Sequence, residues 1–334
     1  MPVVYLTTPG THASLISERL HIEYPDSQPA LAARDIPLHD VDHIVLDTRT
    51  SITPAVMGEC LQRAIPIVIV GGHHQVIGVC QAPSLHGSIR LAHYQIMTDA
   101  GFGLAIASTL IEAKIANSRR MLQRLAANRQ IAAPAAALAT MENAATTALS
   151  ATSLDAIRGC EGTAASRYFD ALAAFFPTDA PFERRSRRPP HNAANALLSF
   201  GYTLLTAEIS TGLHASGLDP ALGFLHEPDD GRPSLALDLI EPLRAPIADA
   251  LALDLLNHLT VRPEEHFEPK DGGIYLNRDG RRRFYVGYER RMERPFTSEQ
   301  SGERTTLRRE IQRQIHSMKR AIREREPFEP FLMN

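Results

Sequence analysis

Two acids three residues apart, Asp238 and Glu241, sit in Leu237-Asp238-Leu239-Ile240-Glu241-Pro242-Leu243-Arg244, downstream of His226 and an Asp229-Asp230-Gly231 turn. The turn predicts that His226 ends one helix and Ser234 opens the next. On that second helix the two carboxyls share a face, with β-carbons roughly 5 to 6 Å apart. Like charges so placed repel, and the surrounding leucines and isoleucine make a simple solvated face a poor description. Paired acids in apolar surroundings need a counter-charge, and Arg232, Arg244 or a divalent cation could supply it. Carboxylate oxygens with one imidazole suit Mg²⁺ or Mn²⁺, with zinc an alternative, and depart from the two-histidine, one-carboxylate set of iron oxygenases.

A third acid, Glu161, lies in Gly159-Cys160-Glu161-Gly162, expected just ahead of an amphipathic helix. The glycines would allow close backbone approach, while the plainer reading of the glutamate is a cap that complements the helix dipole. Arg184, Arg185, Arg187 and Arg188 form a run whose planar guanidinium groups match phosphate oxygens, the alternative being a solvated charge run. Lys114 and Asn117 fall on an expected helix and read, by position alone, as part of its polar face.

The elements that must position these residues change character along the chain. Val3–Leu6, Arg19–Glu23, His43–Leu46 and Ile65–Val70 read as short strands separated by Gly, Pro and Asp, with one helix capped by Thr53 and started by Pro54. From about residue 92 helical periodicity takes over, with a boundary near Pro83 to Ile89. The expectation is an α+β protein of two domains: a small β-rich domain at 1–85, which dimerises, then a larger all-α catalytic domain at 86–334. In its tail Leu307, Ile311, Ile315, Met318 and Ile322 mark one apolar stripe on a helix whose other face is basic.

Composition narrows the function class. With 334 residues, 44% of them hydrophobic, the chain can bury a core. Apolar runs such as Ile65–Val70 stop far short of the roughly 20 residues of a membrane span, and no secretion signal is evident, so a cytoplasmic location in a prokaryote is expected. Cys60, Cys80 and Cys160 form no paired motif, which argues against a cysteine zinc site. The net charge of -3 is not that of a typical DNA-binding domain, but arginine is concentrated in a few segments, including Arg281 to Arg283 and the tail.

Several stretches together resemble the CRISPR-associated protein one family, the adaptation endonucleases. They are Tyr5 to Thr11, Ile36 to His39, Ile65-Pro66, Gly159 to Phe169, Arg187 to Leu205, His226 to Arg244 and Asp271 to Leu276, in that order along nearly the whole chain. Lys114 and Asn117 match a helix motif of the family, with Ser118 where glutamine is usual. Asp47-Thr48 stands in place of Phe-Gly, and His73-His74 in place of an arginine-containing hairpin.

The resemblance implies a metal-dependent DNA endonuclease and integrase that inserts captured fragments into a CRISPR array. It implies Glu161, His226 and Glu241 as ligands of Mg²⁺ or Mn²⁺, with Asp238 as an assisting catalytic acid. Contacts to double-stranded DNA are expected from Arg184, Arg185, Arg187, Arg188, Asn192, Asn195, Arg232 and Arg244. A homodimer and the small adaptation partner, CRISPR-associated protein two, complete the expectation. The rivals are a structure-selective nuclease that does not integrate, a DNA-bridging scaffold whose acids pair with Arg232 and Arg244, and a metal-dependent hydrolase of small molecules.

Overall fold

The computed structural model describes residues 3–25, 32–71, 76–82 and 86–334. His73-His74 and part of the expected boundary lie outside them. The chain forms two compact units, 1–84 and 85–334.

The first unit holds two four-stranded sheets. In one, β1 (Val4–Leu6), β5 (Ile44–Asp47) and β7 (Ile67–Val70) run parallel in the order β1-β5-β7, and β8 (Val76–Cys80) closes the edge antiparallel to β7. In the other, β2 (His12–Ile16), β3 (Arg19–Glu23) and β4 (Arg34–Pro37) form an antiparallel meander. β6 (Ser51–Ile52) lies parallel along the outer side of β2. The period-two pattern sends Ala13, Leu20 and Ile22 inward to meet Leu6, Ile44 and Ile67 in one core. α1 (Pro54–Gln62) starts as its sequence predicts, with Thr53 Oγ1 accepting from Val56 N, and packs Val56 and Cys60 into the same core. Four strands, β2, β4, β6 and β8, escaped the sequence reading: β6 has two residues, β2 and β4 lack a strong apolar run, and Gly78 interrupts the apolar run of β8.

The second unit is mostly helical. α2 (Gly87–Ile96) leads into α3 (Ala100–Arg129), which packs against α4 (Ala135–Leu149) and α5 (Leu154–Ala173). The alanine-rich sequence of α4 makes this close approach possible, and Ala144 and Ala148 are buried. α6 (Ala193–Ser216) is the central helix, buried on most sides and ended by Gly217 in a left-handed conformation. α7 (Ser234–Ile240) continues through tighter and wider turns at 241–249 into α8 (Ala250–Asn257). α9 (Pro263–His266), a hairpin of β9 (Phe267–Lys270) and β10 (Gly273–Leu276), and α10 (Arg278–Glu293) follow. A second small hairpin, β11 (Phe296–Thr297) with β12 (Arg304–Thr305), precedes α11 (Leu307–Glu324). The domain is therefore mainly helical rather than all-α, because Asp271 and Gly272 take positive φ and turn the chain back on itself. No single helix among the described residues is long and apolar enough to cross a membrane.

α11 buries Ile311, Ile315, Met318 and Ile322, so the apolar stripe is its packing face. Its polar side braces the site: Gln314 donates from Nε2 to the carbonyl of Leu239 at 2.8 Å and accepts from Phe331 N at 2.9 Å. Arg308 is not part of a free basic face. It is 7% exposed and clasped by Glu208, Glu289 and Glu293.

Candidate active site

α3, α5 and the turn after α7 bring three charged groups from distant parts of the chain to one point. Lys114, from α3, places Nζ 2.5 Å from Oε1 of Glu161 on α5 and 2.7 Å from Oε2 of Glu241. Glu241 lies just past the end of α7, where Arg244, one turn on, holds its other oxygen, Oε1, at 2.9 Å. Glu241 is 2% exposed and forms the floor, while the side chain of Glu161 is 26% exposed and forms the rim. In sequence Lys114 read as a polar-face residue and as part of the family's helix motif, and nothing near it indicates two carboxylates across the fold.

Glu161 itself sits elsewhere on its helix than expected. α5 begins at Leu154 with Ser153 as its cap, so Glu161 is two turns inside and is not a capping acid. A β-carbon added at Gly159 or Gly162 would meet nothing within 4 Å, so these glycines do not serve close backbone packing within this chain.

His226 lies in the loop between α6 and α7 rather than at a helix end, because α6 has already stopped at Ser216. Its Nδ1 is 2.7 Å from Oδ1 of Asp238. The same fully buried carboxylate accepts the backbone amides of Phe224, Leu225 and His226 at 2.6, 3.0 and 2.9 Å. Gly223 makes this tight loop possible, since a β-carbon there would lie 2.6 Å from the carbonyl of His226 and 2.9 Å from Asp238 Oδ2. Asp238 and Glu241 therefore do not share a counter-charge. The first is satisfied by amides and an imidazole, the second by Lys114 and Arg244. Both oxygens of Asp238 are committed to these amides and the imidazole.

The electrostatics follow. Burial pushes the Glu241 carboxyl up, but the charges of Arg244 and Lys114 outweigh it and bring the pKa to about 2. Arg244 is stacked over the Tyr202 ring at 4.5 Å. Tyr202 and Tyr168 donate to the buried Asp249 at 2.5 and 2.8 Å, and burial raises the pKa of that carboxyl despite these bonds and the nearby arginines. Asn117, the other residue of that helix motif, donates to the carbonyls of Pro242 and Phe331 and accepts from Met333 N, pinning the segment that carries Glu241.

The residues fit a divalent cation by their chemistry. With Nδ1 donating to Asp238, the neutral imidazole of His226 keeps its lone pair on Nε2. Oε2 of Glu241 is buried and, although close to Lys114, accepts no well-aligned hydrogen bond. Among the described residues no three His, Cys, Asp or Glu side chains close on one point, and the two glutamates both contact the Lys114 ammonium.

A cleft of about 60 Å³ opens beside Glu161 and Lys114, lined also by Arg185, Arg187, Tyr202 and Arg244. The arginine run divides here. Arg184, Arg187 and Arg188 are exposed. Arg185 is folded back onto Asn195 and Ser199 at 2.8 and 3.0 Å and over the Tyr202 ring. Asn192 caps α6, accepting from Asn195 N, and Asn195 is 1% exposed, so neither presents a free edge to DNA. Arg232 is exposed on the turn before α7, and Arg244 is committed to Glu241.

Comparison with known proteins gives a consistent result. The family model for CRISPR associated protein Cas1 matches residues 4–290. The CRISPR-associated endonuclease Cas1 1 of Chlorobaculum tepidum is 32% identical over 309 residues, covering 89% of this chain and 89% of the relative. Among solved structures, a casposase bound to integration product superposes with TM-score 0.84 at 22% identity, over 98% of this chain and 92% of that one. The Cas6-RT-Cas1–Cas2 complex matches with TM-score 0.79 at 23% identity, over 100% of this chain and 36% of the other. At those identities the two structures are likenesses of fold.

Proposed function

The chain belongs to the Cas1 family, and from that premise we propose that it is a metal-dependent DNA endonuclease and integrase of CRISPR adaptation. The observation that carries the reading is the approach of Glu161 and Glu241 to one point through Lys114, with Glu161 and Lys114 at an arginine-lined cleft, together with a His226 imidazole oriented by Asp238.

In the proposed reaction the 3′-hydroxyl oxygen of a captured DNA fragment attacks a phosphodiester of the repeat. A new P–O bond forms, the bond to the repeat's own 3′-oxygen breaks, and that oxygen leaves with a proton. Glu161, His226 and Glu241 would hold Mg²⁺ or Mn²⁺, which would stabilise charge developing on the phosphoryl oxygens. The chain's own groups do the positioning. Arg244 keeps Glu241 ionised and fixed against the cost of its burial, and Asp238 holds His226 in the tautomer that presents Nε2. Arg184, Arg187 and Arg188 track phosphates through charge-assisted contacts. Water in place of the 3′-hydroxyl gives cleavage at the same centre.

A homodimer joined with Cas2, acting on double-stranded DNA in the prokaryotic cytoplasm, is the assembly this reading proposes. The Cas2 part of it is supported by the fold likeness to a chain of a solved complex that contains Cas2. The test is strand transfer of a labelled duplex with free 3′-hydroxyl ends into a supercoiled plasmid carrying the repeat, with Cas2 and Mg²⁺ or Mn²⁺. Joined product is expected from the wild type and none from Glu161→Ala or after chelation. Cleavage without joining would make the protein a structure-selective nuclease, and metal-independent binding without any reaction would make it a scaffold.

A further inference from the structure

Among the described residues, Lys114 is the group that touches both carboxylates assigned to the cation. Its Nζ lies 2.5 Å from Glu161 Oε1 and 2.7 Å from Glu241 Oε2, and its side chain is only 16% exposed. We propose that Lys114 is a built-in counter-ion that keeps the two acids together in the metal-free protein and must be displaced by the divalent ion. The inference rests on the metal reading above.

The charge balance argues for it. Glu161 and Glu241 carry two negative charges, and Lys114 and Arg244 return two positive ones, so the cluster is neutral before metal arrives. A buried acid such as Glu241, 2% exposed, costs stability if left unpaired, so the free protein needs a cation at this point. Lys114 meets that need without a metal. The ammonium already occupies the ground between the two oxygens, and a divalent ion bridging the same carboxylates meets both its volume and its like charge. The lysine stem is long and flexible, and the cleft beside it offers somewhere to turn, whereas Arg244 is stacked on Tyr202 and stays. Lys114 thereby holds metal affinity down, and the site loads only at adequate ion concentration.

The experiment is calorimetric titration of the full chain with MnCl₂, paired with thermal unfolding in EDTA and in Mn²⁺. Wild type is compared with Lys114→Met, Lys114→Arg and Glu161→Ala. Lys114→Met is expected to unfold at lower temperature in EDTA. It should bind Mn²⁺ about tenfold more tightly or better, the scale of a close charge pair, and show a larger metal-induced rise in Tm. Lys114→Arg should bind no more tightly than wild type. Should Lys114→Met fail to fold, Lys114→Gln removes the same charge with a polar isostere and carries the same expectation. Mn²⁺ binding to the uncharged variant that equals or falls below wild type would overturn the proposal while leaving the metal site standing. Absence of Mn²⁺ binding in wild type, or wild-type binding by Glu161→Ala, would instead remove the metal reading itself.

Discussion

His226 Nδ1 lies 2.7 Å from Asp238 Oδ1, and the aspartate that holds the ring also holds the loop carrying it, through the amides of residues 224 to 226. The fold therefore sets the position and the tautomer of the imidazole with a single buried carboxylate. Replacing Asp238 by Asn turns one oxygen into a donor that faces either an amide N–H or the imidazole N–H. Both ring orientation and loop stability should suffer. Metal affinity and strand-transfer rate are expected to fall about 10- to 100-fold, as for other groups that orient a ligating histidine, with a lowered Tm. Mn²⁺ titration and a single-turnover assay measure the two effects, and wild-type affinity in the Asn variant would remove the positioning role.

A second histidine anchors the start of the same loop. His93 Nε2 faces the carbonyl of Leu222 at 3.1 Å and Nδ1 accepts from Asp219 N at 3.3 Å, an arrangement that requires the neutral ring. Burial pushes its pKa down, with the Leu222 carbonyl and the charge of Asp219 pulling partly back. A histidine with a lowered folded pKa contributes stability that is present above its unfolded value of about 6.5 and is lost as pH falls toward the folded value. The loss for one such proton is at most about 1.4 kcal/mol per pH unit. His214, also pushed down by burial, adds in the same direction. The wild type should lose stability between pH 7 and 5, and His93→Gln, weaker at pH 7, should lose less over that interval. Parallel denaturation profiles for the two proteins would exclude the assignment.

The sequence carried the two-part architecture because period-two strands with Gly, Pro and Asp breaks give way to 3.6-residue periodicity, and Thr53-Pro54 is a strong local start signal. It carried His226, Asp238 and Glu241 as a group because all three lie within one short stretch. Lys114 was marked only by its match to the family's helix motif, and its contacts were not legible, since its two partners lie on α5 and after α7 and only tertiary packing joins them. The arginine run misled in detail. Four arginines in five positions look alike in sequence, yet Asn195 and Tyr202 draw Arg185 inward and leave its neighbours at the surface. Glycine around Glu161 suggested a helix boundary, but the Ser153 cap and the packing of α5 on α3 and α4 override that local preference.

Arg308 shows the same distinction in the basic tail. Its guanidinium meets Glu208 at 2.9 Å, Glu289 at 2.9 Å and Glu293 at 2.5 Å, tying α11 to α6 and α10. Arg308→Ala leaves several carboxylates without their cation and should cost about 3 to 5 kcal/mol in urea unfolding. Arg309→Ala, at an exposed neighbour, should stay within about 0.5 kcal/mol. Equal stability of the two variants would show that the cluster is not a structural clasp.

The arginine run supplies the sharpest test of how DNA is held, because geometry assigns different work to adjacent residues. Arg184, Arg187 and Arg188 are exposed, and Arg187 also lines the cleft beside Glu161. Each phosphate contact releases condensed counterions, so each alanine substitution among them should reduce the slope of log K against log salt by about 0.7 to 0.9. Arg185 is bonded to Asn195 and Ser199, and its removal takes from the buried Asn195 carbonyl one of its two donors, the amide of Ser186 being the other, and leaves Ser199 Oγ without this partner. Arg185→Ala should therefore lower Tm while leaving the slope near that of the wild type. The measurement is duplex binding by fluorescence anisotropy from about 50 to 200 mM salt, the range over which such contacts are lost. A reduced slope for Arg185→Ala with unchanged Tm would mean that its inward pose gives way to a phosphate when DNA binds, and the division of the run would then be set by the substrate rather than by the fold.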